Sequence, residues 1–320
     1  MTVRPEDFRQ GSRNKHIDSF TVNSKGYLAG GTNHGEVYLW KINFAGIRSK
    51  KSESQAHWIN SFKLHKKAAH NIAFSPDGNM LLTGSADGTS AIWDTSFVDK
   101  NAKPINIEDE HQYQSVNPKN IEISEDQLIH RFEEKNISSS TECLIDGIEW
   151  SAKGRYAYAG ISVKEVKEGE EQQKPGKVKI KVYDTYSGEV IESLDLACKQ
   201  KKEFLNYSSV LKAHPTREEV ILSCFDGGST VLYDAKRRKV IQQIDEYGIY
   251  SIEQFTMNNA IDVDFSSDGL YLALTSLYGT LTLYSTDTFK EAQYQGTRVQ
   301  QFFNYDNQMH DYSPYERLSS

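Results

Sequence analysis

The chain has 320 residues, a formal net charge of −7 and an aromatic content of 11%. That length admits two ordinary domains or one large all-β domain, and the acidic balance argues against coating nucleic acid through bulk charge while suiting a basic protein partner. No run approaches the roughly 18 apolar residues of a membrane span, and the opening MTVRPEDFRQGSRNK has no apolar core of a signal peptide.

Residues 1–15 read as an extension, and a first β-rich unit covers about 16–58. It has Ile17-Asp18-Ser19-Phe20, a turn at Ser24-Lys25-Gly26, Tyr27-Leu28-Ala29, and Val37-Tyr38-Leu39-Trp40, and residues 44–58 form a basic, Ser-rich connector. The second unit, about 59–97, is the most regular. Ile72-Ala73-Phe74 leads to Ser75-Pro76-Asp77-Gly78, Met80-Leu81-Leu82 to Asp87-Gly88, and Ala91-Ile92-Trp93 closes it. Pro presets φ at the second turn position and Gly supplies the positive φ that closes each turn. Asp-Gly between two apolar runs is a strong hairpin signal.

Residues 98–145 are acidic and polar and read as a long insertion, with a short helical hint at Glu125–Glu134. The run Glu108-Asp109-Glu110-His111 is a poor metal site, because consecutive side chains on one loop seldom converge on one ion. A third unit, about 146–197, has Gly147-Ile148-Glu149-Trp150, Tyr156-Ala157-Tyr158-Ala159 and Val178–Asp184, with a charged excursion over 161–177. A fourth, about 207–245, runs through His214-Pro215, Val220–Ser223, Asp226-Gly227 and Val231–Asp234, and its Lys236–Lys239 run (KRRK) reads as a solvated corner. The fifth, about 260–295, has Ile261–Phe265, Ser266-Ser267-Asp268-Gly269, Tyr271–Leu274 and Leu281–Tyr284. Residues 296–320 form an aromatic C-terminal extension.

Recurrence near 40 residues of such units points to stacked four-stranded sheets. The second unit resembles a WD-repeat blade through His65, Ser85, Asp87 and Trp93-Asp94, with Leu64 where the family usually has Gly. The resemblance implies a structural relay from His65 through Asp87 and Ser85 to the Trp93 indole. A buried indole N–H needs an acceptor, and buried imidazole and carboxylate groups need partners. His, Ser and Asp also make a nucleophilic triad in other settings, but no G-x-S-x-G elbow surrounds Ser85. The expected fold is therefore all-β, a WD-repeat β-propeller with five recognisable four-stranded blades, short of a full ring.

The order of units, and above all Arg298-Val299-Gln300-Gln301-Phe302-Phe303-Asn304-Tyr305-Asp306 after the last, is similar to the later WD repeats of the bromodomain-and-WD-repeat proteins. That resemblance implies a nuclear, chromatin-associated interaction scaffold with histones or a nuclear complex as partners. The alternatives are a cytoplasmic location and a general WD scaffold in ubiquitin-ligase recruitment or in RNA and ribosome assembly. The chain shows fewer repeats than the family's propeller and no bromodomain. Trp93-Asp94-Thr95-Ser96 lacks the Arg of the family's adaptor-docking box.

No phosphate-binding Gly loop, metal-ligand spacing or nucleophile elbow appears, so no enzyme, cofactor or metal is expected. Direct nucleic-acid binding and membrane contact are not expected either. Cys143, Cys198 and Cys224, odd in number and without C-x-x-C spacing, read as free thiols in a reducing compartment. The residue before each turn Asp stands at the mouth end of its second strand. That position, Asn33, Ala86, Phe225 and Leu277, is the candidate partner-binding rim. An arc of five blades leaves sheet faces unpaired, so missing blades or a partner are expected to complete it.

Overall fold

A computed structural model describes residues 16–42, 56–96, 127–134, 141–165, 177–196, 209–224, 230–244, 260–276 and 281–287. All the regular structure described is antiparallel strand except for one 3₁₀ residue, and it forms five sheets. The first sheet orders β1 (Ile17–Val22), β2 (Tyr27–Thr32), β3 (Glu36–Ile42) and β4 (Ala56–Lys63). The second orders β5 (Asn71–Phe74), β6 (Met80–Gly84), β7 (Thr89–Asp94) and β8 (Leu128–Glu133). The third holds β9 (Thr141–Trp150), β10 (Tyr156–Glu165), β11 (Lys177–Asp184) and β12 (Val190–Leu196). The fourth holds β13 (Ser209–Ala213), β14 (Glu219–Cys224), β15 (Thr230–Asp234) and β16 (Lys239–Ile244). The fifth has β17 (Ala260–Phe265), β18 (Tyr271–Ser276) and β19 (Leu281–Ser285), three strands among the described residues rather than the expected four.

Two segments depart from the sequence reading. The connector over 44–58 and the insertion over 98–145 each deliver a fourth strand, β4 and β8, onto the open edges of β3 and β7. β8 takes the place of the helical hint at Glu125–Glu134. Its Leu128, Ile129 and Phe132 are compatible with a strand, and the unpaired N–H and C=O groups of β7 supply the pairing that overrides the helical hint. Exposure alternates residue by residue along β8, the mark of a strand covered on one side. The third sheet also begins earlier than Asp146, at Thr141, and the arms of β10 and β11 extend into both ends of the charged excursion.

The same register recurs from sheet to sheet. A bulge falls between Leu39 and Trp40, Ile92 and Trp93, Val182 and Tyr183, and Leu232 and Tyr233, so each third strand kinks where its aromatic ring turns inward. The first turns are also alike, with Asn23, Ser75, Ser151 and Ser266 donating their N–H to the carbonyls of Tyr27, Met80, Tyr156 and Tyr271. The first strands touch in succession, β1 to β5 to β9 to β13 to β17, and the fourth strands point outward.

The core lies between the sheets. Tyr27, Ala29, Val37 and Leu39 of the first sheet pack on Ile72, Leu81 and Trp93 of the second. Leu82 and Ile92 pack on Ile145, Trp150 and Tyr183 of the third, and Tyr158, Ile180 and Val182 on Leu211, Val231 and Tyr233 of the fourth. Leu232 meets Val263, Leu272 and Leu274 of the fifth. Side chains also lock neighbours at their turns. Asn23 Nδ2 donates to the Gly78 carbonyl at 3.3 Å and His214 Nε2 to the Gly269 carbonyl at 3.0 Å. A Cβ on Gly269 would lie 2.3 Å from the His214 ring. Glycine is therefore required there for close approach as well as for its positive φ.

Candidate functional site

The relay of the second sheet is longer than the sequence motif. Thr83 lies on the same face of β6 as Leu81, the partner of Trp93 across the β6–β7 ladder, so its hydroxyl stands beside the indole. Trp93 Nε1 donates to Thr83 Oγ1 at 3.1 Å, and Thr83 Oγ1 lies 2.9 Å from His65 Nε2. On the other side of the ring His65 Nδ1 lies 2.9 Å from Thr89 Oγ1, which donates to Asp87 Oδ1 at 2.6 Å. A hydroxyl that donates to a carboxylate accepts from the imidazole. The consistent assignment is therefore Nδ1–H on His65, with Nε2 accepting from Thr83.

Ser85 stands outside this chain of bonds. Its hydroxyl accepts the Asp87 N–H at 3.0 Å and donates to the Lys67 carbonyl at 3.3 Å. The expected route through Ser85 is thus replaced by Thr83, because Ser85 sits past the end of β6, in the hairpin. Thr83 and Thr89 are the two members the motif did not reveal. The signal for Thr83 was its parity with Leu81, which pairs with Trp93; the signal for Thr89 was a hydroxyl directly after Asp87-Gly88.

Burial alone raises the Asp87 pKa, but the bonds from His65, Thr89 and the Lys66 N–H outweigh it and hold the carboxyl well below the usual range. Asp87 accepts from the N–H groups of Lys66 at 2.8 Å and Thr89 at 3.0 Å and lies 3.7 Å from His65 Nδ1. Its lone pairs are committed, and both ring nitrogens of His65 face threonines rather than Ser85. The group braces the hairpin, the loop before β5 and Trp93, with Thr83 and His65 both buried.

Beside it lies a shallow recess lined by Lys66, Asp87, Gly88, Thr89, Arg131, Glu133 and Glu134. Arg131 donates to the Leu64 carbonyl at 3.1 Å and faces Glu133 at 3.9 Å, and Glu134 pairs with Lys181 at 2.7 Å. Its wall is polar and mostly internally paired.

The innermost strands carry a second group of charges. Asp18 on β1 is bracketed by His16 at 2.9 Å and His70 at 3.2 Å, both imidazoles being solvent-exposed. Along the last three sheets Glu149, Lys212 and Asp264 occupy the same register position on β9, β13 and β17, two residues before Ser151, His214 and Ser266. Lys212 Nζ lies 3.2 Å from Asp264. Burial pushes the Glu149 carboxyl up, against the Trp150 N–H and the Lys212 charge. Asp262 and Asp264 are exposed on β17. Among the described residues no group of three His, Cys, Asp or Glu side chains is arranged to hold a metal.

Of the candidate rim, Asn33 is half-buried at the β2–β3 turn, where its Oδ1 accepts the His16 N–H at 3.1 Å. Ala86 donates its N–H to the Ala68 carbonyl at 2.9 Å. Phe225 and Leu277 lie outside the described residues, as does Glu108–His111. Lys236–Lys239 is exposed at the β15–β16 turn, with Arg237 on Asp234 at 3.1 Å. Cys143 is buried and forms no disulfide.

Residues 57–94, which include the relay, match the WD domain, G-beta repeat family. The fold is all-β, that of a WD-repeat propeller. Over 74 residues, 23% of the chain, the sequence is 32% identical to the Protein LST8 homologs of Drosophila pseudoobscura pseudoobscura and Drosophila melanogaster. The aligned part spans 22% of the length of these curated relatives. Among solved structures, Chaetomium thermophilum Sqt1 superposes with a TM-score of 0.52 at 15% identity, over 84% of this chain and 57% of its own. Sqt1 bound to the N-terminus of the ribosomal protein L10 gives 0.50 at 16% identity, over 81% and 56%. At these identities the likeness to Sqt1 is one of fold.

Proposed function

We propose that this chain is a non-catalytic scaffold that captures a basic peptide at the mouth formed by its innermost strands, within a chromatin or transcription complex. The observation that carries the reading is the set of carboxylates on those strands, Asp18, Asp262 and Asp264, the last beside Lys212, on a chain of net charge −7. Such a field draws in Lys- and Arg-rich segments and favours them over acidic ones. The rim positions Asn33, Phe225 and Leu277 are proposed to add contacts around that mouth. The resemblance to the bromodomain-and-WD-repeat proteins supports a histone tail as the peptide and the nucleus as the location.

A second reading has its own support. Sqt1, similar in fold, holds the N-terminus of a ribosomal protein, so a ribosomal-protein segment is the competing cargo.

Calorimetric titration of the full chain with histone-tail peptides and with N-terminal ribosomal-protein peptides separates the two. The expected result is histone-tail binding that weakens with salt and falls about tenfold in Asp18→Asn/Asp264→Asn, a loss of about 1.4 kcal/mol. Binding only to the ribosomal peptides transfers the reading to the second cargo. Equal binding of an acidic control peptide overturns both.

A further inference from the structure

Among the described residues the first and last sheets each leave one face open, and the repeated register identifies what those faces are. Counting back from the shared turn residue, Phe20, Ile72, Ile148 and Val263 are equivalent, three positions before Asn23, Ser75, Ser151 and Ser266. Val22, Phe74, Trp150 and Phe265 are equivalent one position before. In the second, third and fifth sheets these side chains pack onto the preceding sheet: Ile72 and Phe74 onto the first, Ile148 and Trp150 onto the second, Val263 and Phe265 onto the fourth. Their counterparts in the first sheet are bare, Phe20 at 74% exposure and Val22 at 48%. Ser19 and Thr21, which alternate with them, bond the second sheet through Ala69 and Phe74, so Phe20 and Val22 point away from it.

The last sheet shows the other half. Its Tyr271, Ala273 and Leu283 stand in register with Tyr27, Ala29 and Leu39 of the first sheet and with Met80, Leu82 and Ile92 of the second. In those sheets the positions of Leu39 and Ile92 are fully covered by the sheet that follows. Leu283 is 37% exposed and Tyr271 48%. One chain thus displays both halves of an interface that it forms four times within itself, an apolar leading face on β1 and an apolar trailing face on β18 and β19.

We propose that these faces join copies of this chain head to tail, the trailing face of one copy covering Phe20 and Val22 of the next. The occupant follows from continuity with the internal interfaces: what packs on an Ile72-type residue is a Leu39-type strand, and a second copy supplies one. Because the two halves differ, the contact is heterologous and extends until a ring closes. Salt is expected to strengthen it by screening the repulsion between acidic copies.

Sedimentation of the full chain over a range of concentrations tests this. The wild type is expected to gain mass with concentration, while Phe20→Asp and Leu283→Asp each remain monomeric with unchanged melting. An equimolar mixture of the two variants, which between them retain one intact leading and one intact trailing face, is expected to form a species of two copies and no larger. Should either variant fold poorly, Val22→Lys and Tyr271→Lys give the same pair. A wild type that stays monomeric at every concentration overturns the proposal, as does a mixture that fails to associate. So does a monomer that Phe20→Asp strongly destabilises, since Phe20 would then be covered by its own chain.

Discussion

The first turns of the second and fifth sheets are nearly superimposable in their bonds and differ in how deeply their serines are covered. Ser75 Oγ donates to Asp77 Oδ1 at 2.6 Å, and Ser266 Oγ to Asp268 Oδ1 at 2.6 Å. Asn79 N–H and Leu270 N–H each reach the respective aspartate at 3.0 Å, and Met80 N–H and Tyr271 N–H reach the serine at 2.9 Å. Yet Ser75 is buried whereas its counterpart Ser266 is only half-buried, and both aspartates are exposed. Turn chemistry is a property of four or five consecutive residues, whereas burial is conferred by the sheet next door. Among the described residues the second sheet has neighbours on both faces, the fifth on one. Stability in this chain should therefore follow the junctions rather than the repeats.

The largest expected effect comes from a matched pair. Ile92 and Leu283 hold equivalent places, but Ile92 is buried against the third sheet. Ile92→Ala is expected to cost about 2–5 kcal/mol, as core truncations do. Leu283→Ala, measured at low protein concentration, is expected to cost less than about 1 kcal/mol. Urea melts of both variants decide it, and equal losses would break the comparison.

Next in size is the relay of the second sheet. Thr83→Val keeps shape but removes the acceptor of the Trp93 indole and the donor to His65, and is expected to cost about 1–3 kcal/mol. Ser85→Ala removes a bond at the hairpin alone and is expected to cost about 1 kcal/mol or less. If the serine variant proves the more damaging in the same melts, the path from Trp93 to His65 does not run through Thr83.

How much of this was legible in the sequence follows the same division. His65, Asp87 and Trp93 could be read because the turn and its motif are local. Thr83 and Thr89 could not, since threonine is ordinary in a strand and only the cross-strand register shows which hydroxyl meets which ring. β8 was hidden because it is recruited by an edge more than 30 residues away in sequence, after β7 ends at Asp94 and before Leu128. The juxtaposition of Glu149, Lys212 and Asp264 was invisible for a related reason: it arises through the succession of first strands, which no single repeat encodes. Phe20 and Leu283 carry ordinary strand residues, and their exposure depends wholly on which sheets flank them.

The smallest expected effect concerns the junction of the fourth and fifth sheets, and it depends on pH. His214 is buried between the fourth and fifth sheets, with its ring 5.0 Å from that of Phe265. Its Nδ1 accepts the N–H groups of Thr216 at 3.2 Å and Arg217 at 3.0 Å, leaving Nε2–H to donate to Gly269. A proton added at Nδ1 would face two donors. Burial pushes the imidazole below its ordinary value and the Arg217 charge adds to the fall, while the Gly269 carbonyl and Asp287 oppose it. The unfolded chain therefore takes up this proton first as pH drops. The contribution of neutral His214 is complete above about pH 6.5, the free imidazole value, and is lost as pH falls from there through the lower folded value. Hydrogen exchange on β17 and β18 should accelerate across that window, with β6 and β7 unaffected. His214→Gln, which retains a donor for Gly269 but cannot titrate, is expected to flatten the response. If β18 opens with the same acid dependence in that variant, another group controls the junction.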